Sequence, residues 1–334
     1  MTKYVIIGGS VGALGAVEAI REVDPKGTIA VVTEESLLLY SRPMIGEYLS
    51  GETSLEKIMY RSNEFWRLNN VHTLTKRQAV SVDLVSKYVM LDGGERIDFE
   101  KLLIATGSKP RLIKIDGMEK EGVFTFTTLT DAEAIMTRAE KTKSAIVIGG
   151  GLIGMCVTEA LTKRDIKVTI VELRATILSL LLDFSASNIV RTAIQKKGIN
   201  VITGHAVQQI MGKKDNENEV GAIVLDDGEV ISCDMIVLAI GVTPSHELVL
   251  GTKVRINRGI VVDKSMQTSV PDVYACGDVS ESYDFISCEN RILPQWPIAY
   301  LGGRIAGYNM AGKEAEYPGG HSHVRRESGV GPLS

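Results

Sequence analysis

The sequence predicts an α/β fold made of two Rossmann-like dinucleotide-binding domains, each carrying a β-meander. Three observations predict it. A short apolar run breaks into glycines and then into a helical pattern twice, as Val5-Ile6-Ile7-Gly8-Gly9-Ser10-Val11-Gly12-Ala13 and as Ala145-Ile146-Val147-Ile148-Gly149-Gly150-Gly151-Leu152-Ile153-Gly154. Two later apolar runs end alike, Leu102-Leu103-Ile104-Ala105-Thr106-Gly107 and Ile236-Val237-Leu238-Ala239-Ile240-Gly241. Hairpin turns, Asp92-Gly93-Gly94 and Asp226-Asp227-Gly228, lie between these segments and predict meanders. The repetition reads as an internal duplication in structural terms.

The elements follow in order. Residues 3–7 read as a buried parallel strand, 12–22 as a helix and 28–32 as the next strand, which is one βαβ unit. The middle repeats it with strand 144–148, helix 152–164 and strand 168–172, followed by a helix over about 184–197 and a strand at 199–202. After Gly241 come the apolar strand of Val270-Pro271-Asp272-Val273-Tyr274-Ala275-Cys276-Gly277-Asp278 and an amphipathic stretch at 298–311. From about Lys313 the chain turns polar and glycine-rich, which predicts a surface tail.

Composition narrows the class. The chain has 334 residues, 44% hydrophobic and 23% charged, enough for two domains with a substantial core. A net charge of −4 and a pI near 5.9 give no general attraction to nucleic acid or to an anionic membrane. No run is long and apolar enough to span a bilayer, and the N-terminus enters a strand without an export signal, so a cytoplasmic protein is expected. Cys156, Cys233, Cys276 and Cys288 show neither a C-x-x-C pair nor metal-type spacing; they read as small buried hydrophobes in a reducing compartment.

The glycine motifs carry the chemistry. A glycine-rich turn at a helix N-terminus holds a pyrophosphate on backbone N–H groups, so two such turns suggest two dinucleotides and a hydride passed between them. The second motif is complete. Gly149 permits the tight turn, Gly151 lets backbone approach the pyrophosphate, and Gly154 allows close helix–strand packing. Glu172 ends the next strand, where a carboxylate accepts ribose hydroxyls and repels a 2′-phosphate; this favours NADH over NADPH, although Arg174 stands nearby. The first motif is degraded: Gly8 is kept, whereas Ser10 and Ala13 replace the other two glycines. Glu34 and Glu35 supply its ribose partner.

With Tyr40-Ser41-Arg42-Pro43 after the first unit, Ala105-Thr106-Gly107, Ala239-Ile240-Gly241-Val242-Thr243-Pro244, Tyr274-Ala275-Cys276-Gly277-Asp278 and Trp296 through Asn309, the chain resembles the pyridine nucleotide-disulfide oxidoreductase superfamily. Within it, the resemblance is nearest to the branch of rubredoxin and ferredoxin reductases and the flavin part of nitrite reductase, and it runs from residue 3 to about residue 318. It implies FAD on Gly8, Ser10, Val11, Gly12, Ala13, Glu34 and Glu35, with Arg42 and Pro43 beside the flavin ring. Ala79, Val80, Ala105, Thr106, Gly107, Gly277 and Trp296 join the cofactor-binding set, and Asp278 would bind the ribityl chain. Gly149, Gly151, Leu152, Ile153, Gly154 and Glu172 would bind NADH, with Gly241 closing that site against the nicotinamide. The implied domains are 1–112 and 243–318 for FAD, with the NAD(P)H domain, 113–242, inserted between them, and a polar tail at 319–334.

The departures from the family pattern shape the functional reading. Leu39-Tyr40-Ser41-Arg42-Pro43-Met44-Ile45-Gly46 holds no cysteine where disulfide-type members carry one, so thiol chemistry through the flavin is not expected. A glutamate usual in relatives near the nicotinamide is replaced by Cys156, with Glu159 three residues on. The usual C-terminal interface domain is not seen, so a monomer or a subunit of a complex is expected. No side chain is assigned as catalytic acid or base, because hydride transfer is governed by proximity. His321 and His323 read as tail residues rather than metal ligands, and Lys109, Arg111 and Lys114 as a solvated loop before a docking patch for an acidic carrier. The leading function is hydride transfer from NADH to FAD and on to a small redox protein or iron–sulfur partner subunit, or the reverse. The alternatives are an NADH oxidase that reduces oxygen directly and a non-catalytic flavoprotein subunit.

Overall fold

Consecutive Val and Ile residues with no charge favour strands buried on both faces, and both parallel sheets are made of such runs. A computed structural model describes residues 1–35, 39–62 and 64–321. The chain forms two units, the first from Met1–Tyr40, Met59–Lys109 and Pro244–Ser322, the second from Ser41–Ile58 and Pro110–Thr243.

In the first unit, strand Thr2–Ile7 lies between Ile29–Thr33 and Arg96–Ile104, all parallel. Val71–Thr75 extends the sheet beside Ile29–Thr33, and Val273–Ala275 extends it beside Arg96–Ile104. The meander Ala79–Asp83 and Tyr88–Leu91 runs antiparallel to the start of Arg96–Ile104. The second unit repeats the order: Asn200–Thr203, Lys167–Glu172, Ser144–Ile148, Met235–Leu238 and Val123–Thr125, all parallel. Its meander is Val207–Gly212, Val220–Leu225 and Val230–Ser232. The duplication is therefore present strand for strand. The units differ in the source of the fifth parallel strand, which comes from late in the chain in the first and from ahead of the glycine motif in the second.

Helices Val11–Val23 and Trp296–Met310 pack at backbone distance in the first unit. A Cβ at Gly303 would lie 2.0 Å from Gly12 O, one at Gly307 2.5 Å from Ala16 O, and one at Gly15 2.4 Å from Tyr300 O. Small residues thus set the spacing, and any side chain there would push the helices apart. The helix ending the chain's motif order covers the one that begins it.

The structure corrects two expectations. Part of the tail expected from about Lys313 is packed: Tyr317 is 1% exposed, its N–H donates to Lys264 O at 2.7 Å, and Gly320 pairs with Asp284, while residues 322–334 lie outside the described residues. Burying one aromatic ring outweighs the polarity of its neighbours. His321 belongs to this packed end, its ring 5.4 Å from Phe285, whereas His323 lies outside the described residues. Cys288 is exposed in the turn of the Ser280–Asp284/Glu289–Ile292 hairpin, so it is not one of the buried hydrophobes; Cys233 and Cys276 are. No helix among the described residues is long and apolar enough to cross a membrane.

Candidate functional site: two glycine loops

The second loop shows why each glycine is there. Gly149 has φ +109°, and a Cβ on it would lie 2.4 Å from Ala239 O of the closing strand. A Cβ on Gly154 would lie 1.9 Å from Gly149 O, so the first turn of helix Leu152–Thr162 presses on the loop. At Gly151 a Cβ meets nothing within 4 Å, which leaves the loop face open beside backbone N–H groups at a helix N-terminus. Leu152, beside it, is 64% exposed.

Gly150, which the motif leaves unspecified, is held on both sides. Its N–H donates to Glu172 Oε2 at 2.6 Å, and its carbonyl accepts Leu178 N–H at 2.8 Å. The other Glu172 oxygen accepts Arg174 N–H at 2.8 Å. Glu172 therefore braces the loop in addition to standing at the strand end expected of a ribose partner. Arg174 reaches Ser179 at 3.5 Å. Gly241, at φ +99°, also has open space at its Cβ position.

The first loop repeats the closing contact. Gly8 has φ +116°, and a Cβ on it would lie 2.0 Å from Ala105 O. Ser10 precedes helix Val11–Val23 without using its hydroxyl as a cap, and Val11 and Ala13 are buried in that helix. The loops register alike, since Gly8 N–H donates to Val32 O as Gly149 N–H donates to Val171 O. That register sets Thr33, not Glu34, opposite Glu172. Glu34 is exposed one residue further on, and Glu35 accepts the Tyr40 hydroxyl at 2.6 Å.

Around Ala105-Thr106-Gly107, the Thr106 hydroxyl donates to Ser245 O at 2.7 Å and Ser245 N–H to Gly107 O at 2.9 Å. Gly277 has φ +77°, and Asp278 sits in the short 3-10 turn after it, accepting the Ser108 hydroxyl at 2.8 Å. It does not cap a long helix. Trp296 opens the last helix, edge to face with Tyr60 at 4.9 Å. Trp296 Nε1, the Tyr60 hydroxyl and His246 Nδ1 are buried without a hydrogen-bond partner, and burial pushes the Tyr60 hydroxyl well above its usual pKa. Buried polar atoms of this kind cost free energy unless something meets them, which fits a unit that encloses a polar cofactor. Tyr60, His246 and Ser108 were not singled out by sequence. The adjacency of Ser108 to Ala105-Thr106-Gly107 was the available signal.

Arg42 and Pro43 begin a segment that packs in the second unit, where Arg42 Nη1 donates to Thr127 O at 2.9 Å. Ala79 and Val80 open a meander strand at a register shift, with Val80 52% exposed.

Three of the four thiols are quiet. Burial pushes Cys276 and Cys233 up to about 12 and raises Cys156 as well, so none of the three supplies a thiolate near neutral pH.

The family described as pyridine nucleotide-disulphide oxidoreductase matches residues 2–303. The chain is 32% identical over 324 residues to an NADH oxidase of Methanocaldococcus jannaschii, covering 94% of this chain and 71% of the relative. It is 33% identical over 314 residues to the NADH-dependent phenylglyoxylate dehydrogenase subunit epsilon of Aromatoleum evansii, covering 93% and 73%. It is 30% identical over 275 residues to the rubredoxin-NAD(+) reductase of Pseudomonas putida, covering 82% and 71%. The chain belongs to the pyridine nucleotide-disulphide oxidoreductase family and is an FAD-dependent NAD(P)H oxidoreductase.

Proposed function

We propose that the chain moves a hydride from NADH to FAD and delivers the electrons to a small redox protein or an iron–sulfur partner subunit, or runs that transfer in reverse. The observation that carries this is the pair of glycine loops, each with its first glycine at φ above +100° and closed against an alanine carbonyl. One chain thereby offers two dinucleotide cradles.

Gly149, Gly151, Leu152, Ile153 and Gly154 would hold the NADH pyrophosphate, with Glu172 on the ribose and Gly241 at the nicotinamide. Gly8, Ser10, Val11, Gly12, Ala13 and Glu34 or Glu35 would hold the ADP half of FAD. Asp278, with Ser108 orienting it, would meet the ribityl hydroxyls. Ala105, Thr106, Gly107, Gly277 and Trp296 line the same unit. Arg42 and Pro43 would lie beside the flavin ring, and Ala79 and Val80 would complete the cofactor-binding set. Bound FAD accepts two electrons as a hydride and releases them singly. The protein's part is positioning, because no acid or base is needed for hydride transfer.

The relatives named for rubredoxin reduction and for a dehydrogenase subunit support a protein acceptor, and the unpaired cysteines support the reducing cytoplasm. The relative named NADH oxidase supports the second reading, direct reduction of oxygen. NADH consumption by the flavin-loaded protein, measured with rubredoxin, with ferredoxin and with oxygen alone, separates the two. Turnover at least tenfold faster with a carrier supports the reductase; equal turnover on oxygen alone overturns it in favour of the oxidase.

A further inference from the structure

We propose that the segment Arg111-Leu112-Ile113-Lys114 is the surface that docks a small acidic electron-carrier protein; this rests on the carrier-reductase reading above. All four side chains are exposed, Leu112 at 67% and Ile113 at 38%. Two consecutive exposed aliphatic residues between two cations offer a partner an apolar centre with a charged edge on either side. Among the described residues neither Arg111 nor Lys114 makes an ion pair or a side-chain hydrogen bond. Lys109 differs, since its ammonium is paired with Glu247 and its charge is spent locally.

The segment carries +2 on a chain whose net charge is −4, so its sign is opposite to that of the whole molecule. The partner that fits is therefore acidic around an apolar centre, with carboxylates for Arg111 and Lys114. Such complementarity acts chiefly on the encounter rate and falls with salt.

The backbone places the patch usefully. Arg111 N–H donates to Gly241 O at 2.9 Å, which ties the segment to the glycine we assign to the nicotinamide. Because this bond uses the main chain, side-chain substitutions leave it in place. Menadione reduction, which needs both cofactors but no carrier, therefore reads cofactor binding separately from docking.

The electron count is simple. One NADH reduces two one-electron carriers, giving NAD+, two reduced carriers and one released proton.

The experiment compares the flavin-loaded wild type with Arg111→Glu/Lys114→Glu and with Leu112→Ser/Ile113→Ser. Acceptors are an acidic rubredoxin, an acidic ferredoxin and the neutral quinone menadione, at low and high salt. The proposal expects kcat/KM for a carrier to fall at least tenfold on charge reversal at low salt and to converge with wild type at high salt, with menadione reduction within twofold throughout. The serine pair should lower carrier turnover at both salt concentrations. Carrier reduction within twofold of wild type in both variants overturns the docking surface and leaves the reductase reading intact. Menadione reduction without reduction of either carrier overturns the reductase reading itself.

Discussion

At the scale of single residues, the loops are set by the atoms a Cβ would meet. Gly154→Ala sets a methyl 1.9 Å from a backbone oxygen, so the loop must shift. We predict at least a tenfold rise in KM for NADH with unchanged FAD content, and a stability loss of about 1–3 kcal/mol, read from steady-state kinetics, cofactor absorbance and thermal melts. Glu172→Ala removes the acceptor for Gly150 N–H and is predicted to raise KM for NADH while FAD stays bound; loss of FAD with unchanged NADH kinetics would mean the two cradles are exchanged. Cys156 has a structural partner that the sequence did not disclose, because a Cβ on Gly46 would lie 2.3 Å from its Sγ. Gly46→Ala alone should destabilise by about 1–3 kcal/mol, and adding Cys156→Ala should recover at least half, as a double-mutant cycle of melts would show. Additive losses would show that the two residues do not share one space. The motif glycines were legible because their spacing between an apolar strand and a helical pattern is local in sequence, whereas Tyr60, His246 and the Gly46–Cys156 contact depend on segments far apart in sequence.

At the scale of elements, periodicity located the strands and helices of both βαβ units to within two residues, since buried parallel strands and amphipathic helices have strong, short-range signals. The helix Leu129–Ala139 escaped notice despite a capping box in which Thr128 and Asp131 satisfy each other's backbone N–H groups. The hairpin Ser280–Asp284/Glu289–Ile292 escaped because its buried face is polar, with Glu281 accepting Arg258 and Gly259 N–H groups. Thr128→Ala should cost about 1–2 kcal/mol, measured by melting. Beside the second meander, His205 Nδ1 lies 2.9 Å from Asp226 and 3.5 Å from Asp227. The hydrogen bond to Asp226 raises the His205 pKa, and the same bond lowers that of Asp226. The histidine's contribution is complete below its ordinary 6.5 and is lost as pH rises through the raised folded value. The carboxylate's contribution is complete above its ordinary 3.8 and is lost as pH falls through the depressed one. His205→Gln should flatten the loss of stability on the alkaline side of pH 6.5 in denaturant titrations; an unchanged slope would show that the pair contributes nothing.

At the scale of the whole molecule, one strand order occurs twice and the chain enters each unit more than once. Residues 41–58 join the second unit through Cys156 at Gly46, Arg164 at Leu49 O and Lys163 at Glu52, although neighbouring sequence on both sides belongs to the first. That crossing was not readable from sequence, because nothing local distinguishes a segment that packs with its neighbours from one that packs a hundred residues away. In the proposed reaction NADH and flavin exchange electrons directly, without sulfur between them. Anaerobic stopped-flow mixing of the flavin-loaded protein with NADH tests it, run on the wild type and on a variant with Cys156, Cys233, Cys276 and Cys288 all replaced by Ala. Direct transfer predicts bleaching of the flavin band in both, at rates within threefold. Absence of bleaching in the wild type, or its loss in a folded, flavin-loaded variant without cysteines, would contradict it.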